Sequence, residues 1–168
     1  MIEPEGKLDE QRLIPLAIVA ASVGALAFAY TAQYAYGFEP CILCLYQRVP
    51  FAVAGVLGLL ALLVPRGNIR NAAVALAGVT LLIGSGIAFY HVGVEQHWWV
   101  SAASCGGGLN EAMSINQLLT QLQNKPAKAC DEVDWALFGI SMATYNVAAS
   151  LALGAAALWG AWRLKAEV

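Results

Sequence analysis

With the charged residues taken as boundaries, the chain divides into four long apolar stretches. The first runs from Leu13 to about Tyr36 with Gln33 as its one amide. The second follows Cys44 and reaches Val64, interrupted only by Gln47 and Arg48 near its start. The third extends from Ala72 to about Val94 and the fourth from Trp135 to Trp162. Each has the roughly 20 residues a helix needs to cross a hydrocarbon core of about 30 Å. No water is available there to backbone N–H and C=O groups, so such lengths predict helices rather than strands. The expected fold is all-α: a four-helix transmembrane bundle making one domain of residues 1–168, with segments 37–43 and 95–134 together on one side.

The long segment between the third and fourth stretches has its own pattern. Ile115, Leu118, Leu119 and Leu122 recur at i, i+3, i+4 and i+7, with Asn116, Gln117, Gln121 and Gln123 between them. That spacing predicts a short amphipathic helix, lying on the bilayer surface or packed on the bundle top. His97-Trp98-Trp99 has the aromatic character of a membrane–water boundary. Gly106-Gly107-Gly108 gives a flexible joint just after Cys105. The first stretch, at about 24 residues, exceeds the 7–15 of a signal-peptide core. Four acidic residues also dilute the basic flank that a signal needs, so it reads as a retained anchor.

Composition agrees. Hydrophobic types make up 60% of the chain and charged types 12%, against roughly 45–50% and about 25% in soluble domains. That excludes an ordinary soluble protein and a disordered one. A net charge of −2 without any Lys/Arg run excludes a nucleic-acid partner. The basic residues instead report orientation. Lys7, Arg12, Arg66, Arg70, Arg163 and Lys165 fall on one side of a four-crossing chain, Lys125 and Lys128 on the other. Six against two predicts both termini in the cytoplasm and the 37–43 and 95–134 segments outside.

All four cysteines lie on that outer side: Cys41 in the first segment and Cys44 at its edge, Cys105 and Cys130 in the second. An even number confined to one face points to thiol–disulfide chemistry, although spacing leaves three pairings open. Pro40-Cys41-Ile42-Leu43-Cys44 places a Cys-x-x-Cys at a helix start, where unpaired N–H groups favour a thiolate. Arg48 follows Cys44 by four residues, on the same face and one turn deeper. A haem attachment would need histidine where Leu45 stands. Cys105 and Cys130 form no second Cys-x-x-Cys, so the usual zinc spacing is missing and no metal site is read. Taken alone, that second pair reads as a staple worth about 3–4 kcal/mol. A bridge between Cys41 and Cys44 would close too short a loop to stabilise much, so redox exchange explains it better. Arg48 is either a functional group or a snorkelling anchor. Gln47 and His91 are further polar groups near the outer span ends. Tyr90, Gly84 and Gly86 are expected to serve close helix packing, and Ser141, Thr144 and Asn146 helix–helix hydrogen bonds.

Pro40-Cys41-Ile42-Leu43-Cys44-Leu45-Tyr46-Gln47-Arg48 resembles the signature of the disulfide bond formation protein B (DsbB) family. Tyr90-His91, the second cysteine pair, and Cys130-Asp131 followed by Trp135, Gly139, Ser141-Met142-Ala143 and Asn146 agree with it. The resemblance implies a multi-pass bacterial inner-membrane enzyme, a protein-dithiol:quinone oxidoreductase. Such an enzyme reoxidises the periplasmic dithiol oxidase DsbA and passes the electrons to ubiquinone or menaquinone. Cys105 matches the position attacked by reduced DsbA, and Cys130 its partner, which relays the electrons to Cys41. Cys44 matches the thiolate facing the quinone, and Arg48 the quinone-site arginine. His91 and Gln47 are placed at the quinone by the same match; some members carry glutamate at position 47, where an amide cannot titrate. Enzymes of the vitamin K epoxide reductase type carry their active pair late in the domain, whereas here it opens the second span.

Overall fold

The computed structural model describes residues 10–65, 67–101, 130, 131, 133 and 135–166. Four helices dominate: α1 (Glu10–Tyr34), α2 (Ile42–Leu63), α3 (Asn68–Glu95) and α4 (Met142–Ala166). All four are long and apolar enough to cross a membrane, and the protein is a four-helix multi-pass membrane protein. The predicted helix at 115–122, the Gly106–Gly108 joint and Cys105 lie outside the described residues.

The fourth stretch departs from its hydrophobic pattern. α4 starts at Met142, and the residues before it form a small antiparallel hairpin, β1 (Ala136–Leu137) with β2 (Ile140–Ser141), in which Ala136 faces Ser141 and Leu137 faces Ile140. Phe138 and Gly139 make its two-residue turn, both at positive φ (52° and 79°). Paired positive-φ residues match the right-handed twist of the flanking strands. Apolarity predicts burial in lipid or protein but does not register a turn whose only signal is one glycine. Ser141 then caps α4, its Oγ accepting the Thr144 N–H at 3.3 Å and lying 3.1 Å from Thr144 Oγ1. That pair is therefore a local cap, and of the three polar residues near the start of α4, Asn146 is the one whose side chain reaches another helix.

The packing inverts a soluble core. Ala54, Ala61, Ala77, Ala88 and Ala157 are buried, whereas Leu16, Val23, Val56, Leu76, Ile83 and Leu151 face outward. Lipid solvates large apolar side chains as well as protein does, so small residues collect where helices meet. α3 and α4 meet backbone to backbone: a Cβ added at Gly154 would lie 3.0 Å from Gly78 O, and one at Gly78 would lie 3.1 Å from Gly154 O. Gly84 takes the ring of Pro50, 2.9 Å from where its own Cβ would be, whereas none of the described residues comes within 4 Å of a Cβ built at Gly86. Pro50 lacks an N–H for the helix ladder and its ring becomes part of the α2–α3 seam. Ser85 Oγ adds a cross-helix bond to Val147 O at 3.1 Å.

α3 packs along both α2 and α4, and α1 lies on α2 while scarcely meeting α4. At the end carrying the termini, Ile14 seats against Gly160. Toward the cysteine end α1 and α4 part, leaving a gap that the site occupies.

Candidate active site

Pro40 leads into α2, and Cys41 is its N-cap, extended at φ −69° and ψ 168°, with its sulfur accepting the Cys44 N–H at 3.3 Å. Cys44 occupies the first turn. The fixed i to i+3 geometry brings Cys41 Sγ and Cys44 Sγ to 3.0 Å, Cys41 donating. That donation, reinforced by burial, pushes the Cys41 thiol up to about 12. The proton of the pair is thus kept on Cys41, and Cys44 is left as the acceptor.

Cys130 is fully buried beside this turn, in one apolar cluster with Cys41, Leu43 and Val94, with Cys44 and Tyr90 at its edge. One cysteine of the distant second pair is therefore delivered to the first. No described residue shows where Cys105 lies.

A chain of polar side chains crosses the bundle to the same place. Ser150 Oγ donates to Asn146 Oδ1 at 2.9 Å, and Asn146 Nδ2 donates to Gln47 Oε1. Gln47 Nε2 then donates to His91 Nδ1 at 2.7 Å. This sequence of donors assigns the His91 proton to Nε2, which lies 3.5 Å from Cys41 Sγ and 3.8 Å from Glu95 Oε1. His91, Gln47 and Glu95 are all buried. Arg48 is turned toward α1: Nη1 donates to Gln33 Oε1 at 2.6 Å, and the guanidinium sits 4.8 Å from the centre of the Tyr30 ring.

These groups border a cavity of about 660 Å³ in the gap between α1 and α4. Cys41, Cys44, Gln47, Arg48, His91 and Glu95 are among its polar lining, and Leu26, Phe28, Ala29, Phe51 and Ala149 among its apolar walls. Phe28 and Trp135 approach across its mouth with ring centres 6.3 Å apart. The cavity is large enough for a ring-sized ligand, with a cluster of polar groups beside the sulfurs and largely apolar walls elsewhere.

The hydrophobic pattern brings forward Cys41, Cys44, Arg48, Gln47 and His91 but passes over three neighbours. Glu95 follows His91 by four residues, a same-face spacing that places it one turn above. Tyr30 and Gln33 are likewise three apart and share a face of α1. Neither spacing names the helix across the gap, and that contact is what gives each residue its place.

A Cys-x-x-Cys at the start of a membrane-spanning helix, with a third cysteine against it and an apolar cavity beside it, defines a membrane thiol–disulfide oxidoreductase. Comparison with known proteins narrows the class. The family described as Disulfide bond formation protein DsbB matches residues 11–160. Disulfide bond formation protein B of Acinetobacter baumannii is 33% identical over 156 residues, covering 90% of this chain and 91% of that protein. The protein of the same name from Xylella fastidiosa (strain Temecula1) is 37% identical over 74% of each chain. That of Methylobacillus flagellatus is 33% identical over 87% of this chain and 90% of its own. No solved structure matches. The chain belongs to the DsbB family, and its chemistry is disulfide bond formation.

Proposed function

We propose that this protein reoxidises a periplasmic DsbA-type dithiol oxidase and passes the electrons to a membrane quinone, ubiquinone or menaquinone, in the bacterial inner membrane. The observation that carries the reading is the apolar cavity of about 660 Å³ on which Cys44, Arg48 and His91 all open.

The Cys105–Cys130 disulfide accepts a thiolate of the reduced partner at Cys105, and Cys130 leaves as thiolate. The partner's second thiolate then resolves the mixed disulfide and departs oxidised, leaving Cys105 and Cys130 reduced. Two electrons pass on when Cys130, already packed on the first pair, attacks a Cys41–Cys44 disulfide at Cys41. Cys44 leaves, and Cys105 closes the Cys105–Cys130 bond again. The quinone supplies the final acceptor, taking two electrons and two protons. Such an acceptor is needed because a DsbA-type oxidant, at about −120 mV, lies above the reach of a glutathione pool.

The chain's own groups hold this chemistry in place. Arg48, fixed by Gln33 and Tyr30, directs its remaining guanidinium donors at the cavity beside Cys44. It steadies both the thiolate and negative charge developing on a bound carbonyl oxygen. His91 holds a proton on Nε2 at the sulfur side. Gln47 does not titrate; it orients His91.

Purified protein in detergent, mixed with reduced DsbA-type partner and a soluble quinone analogue, tests the reading. One quinone consumed per partner disulfide formed is expected. A reduced partner whose second cysteine is replaced by serine should stall as a Cys105–partner mixed disulfide visible on a non-reducing gel, because no partner thiolate remains to release it. Cys130→Ser should abolish turnover because Cys105 then has no disulfide to offer. Turnover that persists after loss of both Cys105 and Cys130 would reduce that pair to a staple.

A further inference from the structure

We propose that the reduced site also binds one thiophilic divalent cation of d10 configuration, Zn²⁺ or Cd²⁺, through Cys41 Sγ, Cys44 Sγ, His91 Nε2 and a Glu95 carboxylate oxygen. The two sulfurs and a ring nitrogen of His91 lie within 4.8 Å of one another. Cys41 Sγ is 3.0 Å from Cys44 Sγ and 3.5 Å from His91 Nε2, which is 3.8 Å from Glu95 Oε1. Tetrahedral zinc, with Zn–S near 2.3 Å and Zn–N or Zn–O near 2.0–2.1 Å, requires edges of about 3.8 Å for S···S, 3.5 Å for S···N and 3.3 Å for N···O. The Cys41–Cys44, Cys41–His91 and His91–Glu95 separations each lie within about 1 Å of those edges, and a rotation of the Glu95 side chain toward the sulfurs completes the tetrahedron.

Glu95 supplies the independent sign that something belongs there. It is only 8% exposed, and its Oε2 has no hydrogen-bond partner among the described residues. A buried carboxylate oxygen without a donor is costly, and a cation satisfies it. All four ligands border the same cavity, which gives the ion its way in. Linear spacing hides the site because two ligands come from the start of α2 and two from the end of α3. Ligation at Nε2 requires the His91 proton on Nδ1. Turning the Gln47 and Asn146 amides over keeps each bond of the Ser150–Asn146–Gln47–His91 chain with donor and acceptor exchanged. The ligand's outer nitrogen is then held by Gln47 Oε1, the kind of partner a metal-bound histidine uses.

Binding is a proton exchange without change of oxidation state: two thiols and M²⁺ give a dithiolate complex and two H⁺. An oxidised Cys41–Cys44 pair has no thiolate to offer, so the site exists only while the pair is reduced. Occupancy withdraws both sulfurs from exchange and makes the cation an inhibitor of the reduced enzyme. This rests on the proposed function only in that the pair passes through its dithiol form.

The test uses full-length protein in detergent, both wild type and a Cys105→Ser/Cys130→Ser variant, reduced with a non-chelating phosphine. Cd²⁺ is titrated while the thiolate-to-metal charge-transfer absorbance is followed. One ion displaced by Zn²⁺ is expected on the double-serine variant, and none on its diamide-oxidised form. In that background Glu95→Gln should weaken binding about 10- to 100-fold, with Glu95→His restoring it. Absence of binding overturns the site, and so does an affinity left unchanged by both Glu95→Gln and His91→Phe, which would mean a bare dithiol chelate. Quinone turnover of metal-free wild type is read separately, so failure of one assay is not failure of the other.

Discussion

Cys41 stands outside α2 and Cys44 within its first turn, so two identical thiols meet different surroundings. Cys41 gives its hydrogen to Cys44, is buried, and is pushed up to about 12. Because its pKa is raised, Cys41 stays protonated from acid pH through mild alkali and ionises only as the pH nears that value. Brief alkylation of the reduced protein at about pH 8 should therefore mark Cys44 and spare Cys41, read by peptide mass spectrometry. Equal labelling would contradict the donor assignment. Arg48 permits a sharper test. A snorkelling arginine would be replaceable by lysine, but Arg48 points into the bundle and uses one nitrogen on Gln33, leaving the rest of its planar fork for a ligand. Arg48→Lys should raise the apparent KM for quinone, and Arg48→Met should raise it more, because an ammonium lacks that fork. Losing a charged hydrogen bond costs about 1.5–3 kcal/mol, hence roughly 10- to 150-fold in quinone-dependent kcat/KM. The partner's KM should change little. Equal quinone KM values across the three proteins would leave Arg48 a boundary anchor.

At the scale of elements, helices that pack through glycine and alanine depend on a few points of backbone contact. Gly154 is such a point: an added Cβ would meet Leu82 Cδ2 at 2.8 Å and Gly78 O at 3.0 Å. The carbonyl cannot rotate away, so Gly154→Ala should force α3 and α4 apart and cost about 1–3 kcal/mol. Gly86→Ala, on the open face of α3, should be silent or slightly stabilising. Thermal unfolding in detergent compares the two, and an equal effect would show that the seam is not where the helices are held. Gly84 and Gly86 look alike in sequence, two residues apart in one apolar run, yet one packs on Pro50 and the other faces outward. Hydrophobic length alone marks four helices because crossing a bilayer demands it. It does not mark which face of each helix is inward, since lipid and protein accept the same side chains. For the same reason Cys41, Cys44 and Arg48 stand out as rare polar groups in apolar surroundings. Gln33, Tyr30 and Glu95 take their place in the site only from contacts across helices.

Among the described residues the helices meet closely at one end of the bundle and part at the other. At the end carrying the termini, Ile14 meets Gly160 and Arg70 is buried, donating to Val64 O at 2.8 Å. Arg163 lies over Trp159 at 3.9 Å, and Trp159 and Trp162 are exposed, an aromatic and basic rim of the kind found at a membrane surface. From Met142 to Trp162 α4 rises about 30 Å, one hydrocarbon thickness. At the opposite end Trp98 and Trp99 stack and tilt against Phe89 and Tyr90, and the parted helices expose the cavity beside the cysteines. This asymmetry suits a protein that meets a water-soluble dithiol at one surface while a lipid-soluble acceptor enters from the side. It works only if the cysteine end faces the oxidising compartment, the orientation that the six-to-two division of Lys and Arg predicts. Because Cys41 is buried, native thiols are poor reporters of sidedness, and two exposed positions serve better: Asp131 at the cysteine end and Asn68 at the other. In a cysteine-free background, Asp131→Cys should react with a membrane-impermeant maleimide on intact spheroplasts. Asn68→Cys should react only after the inner membrane is permeabilised. The reverse pattern would turn the bundle over and put the cysteines in a reducing cytoplasm, where no relay to a periplasmic partner is possible.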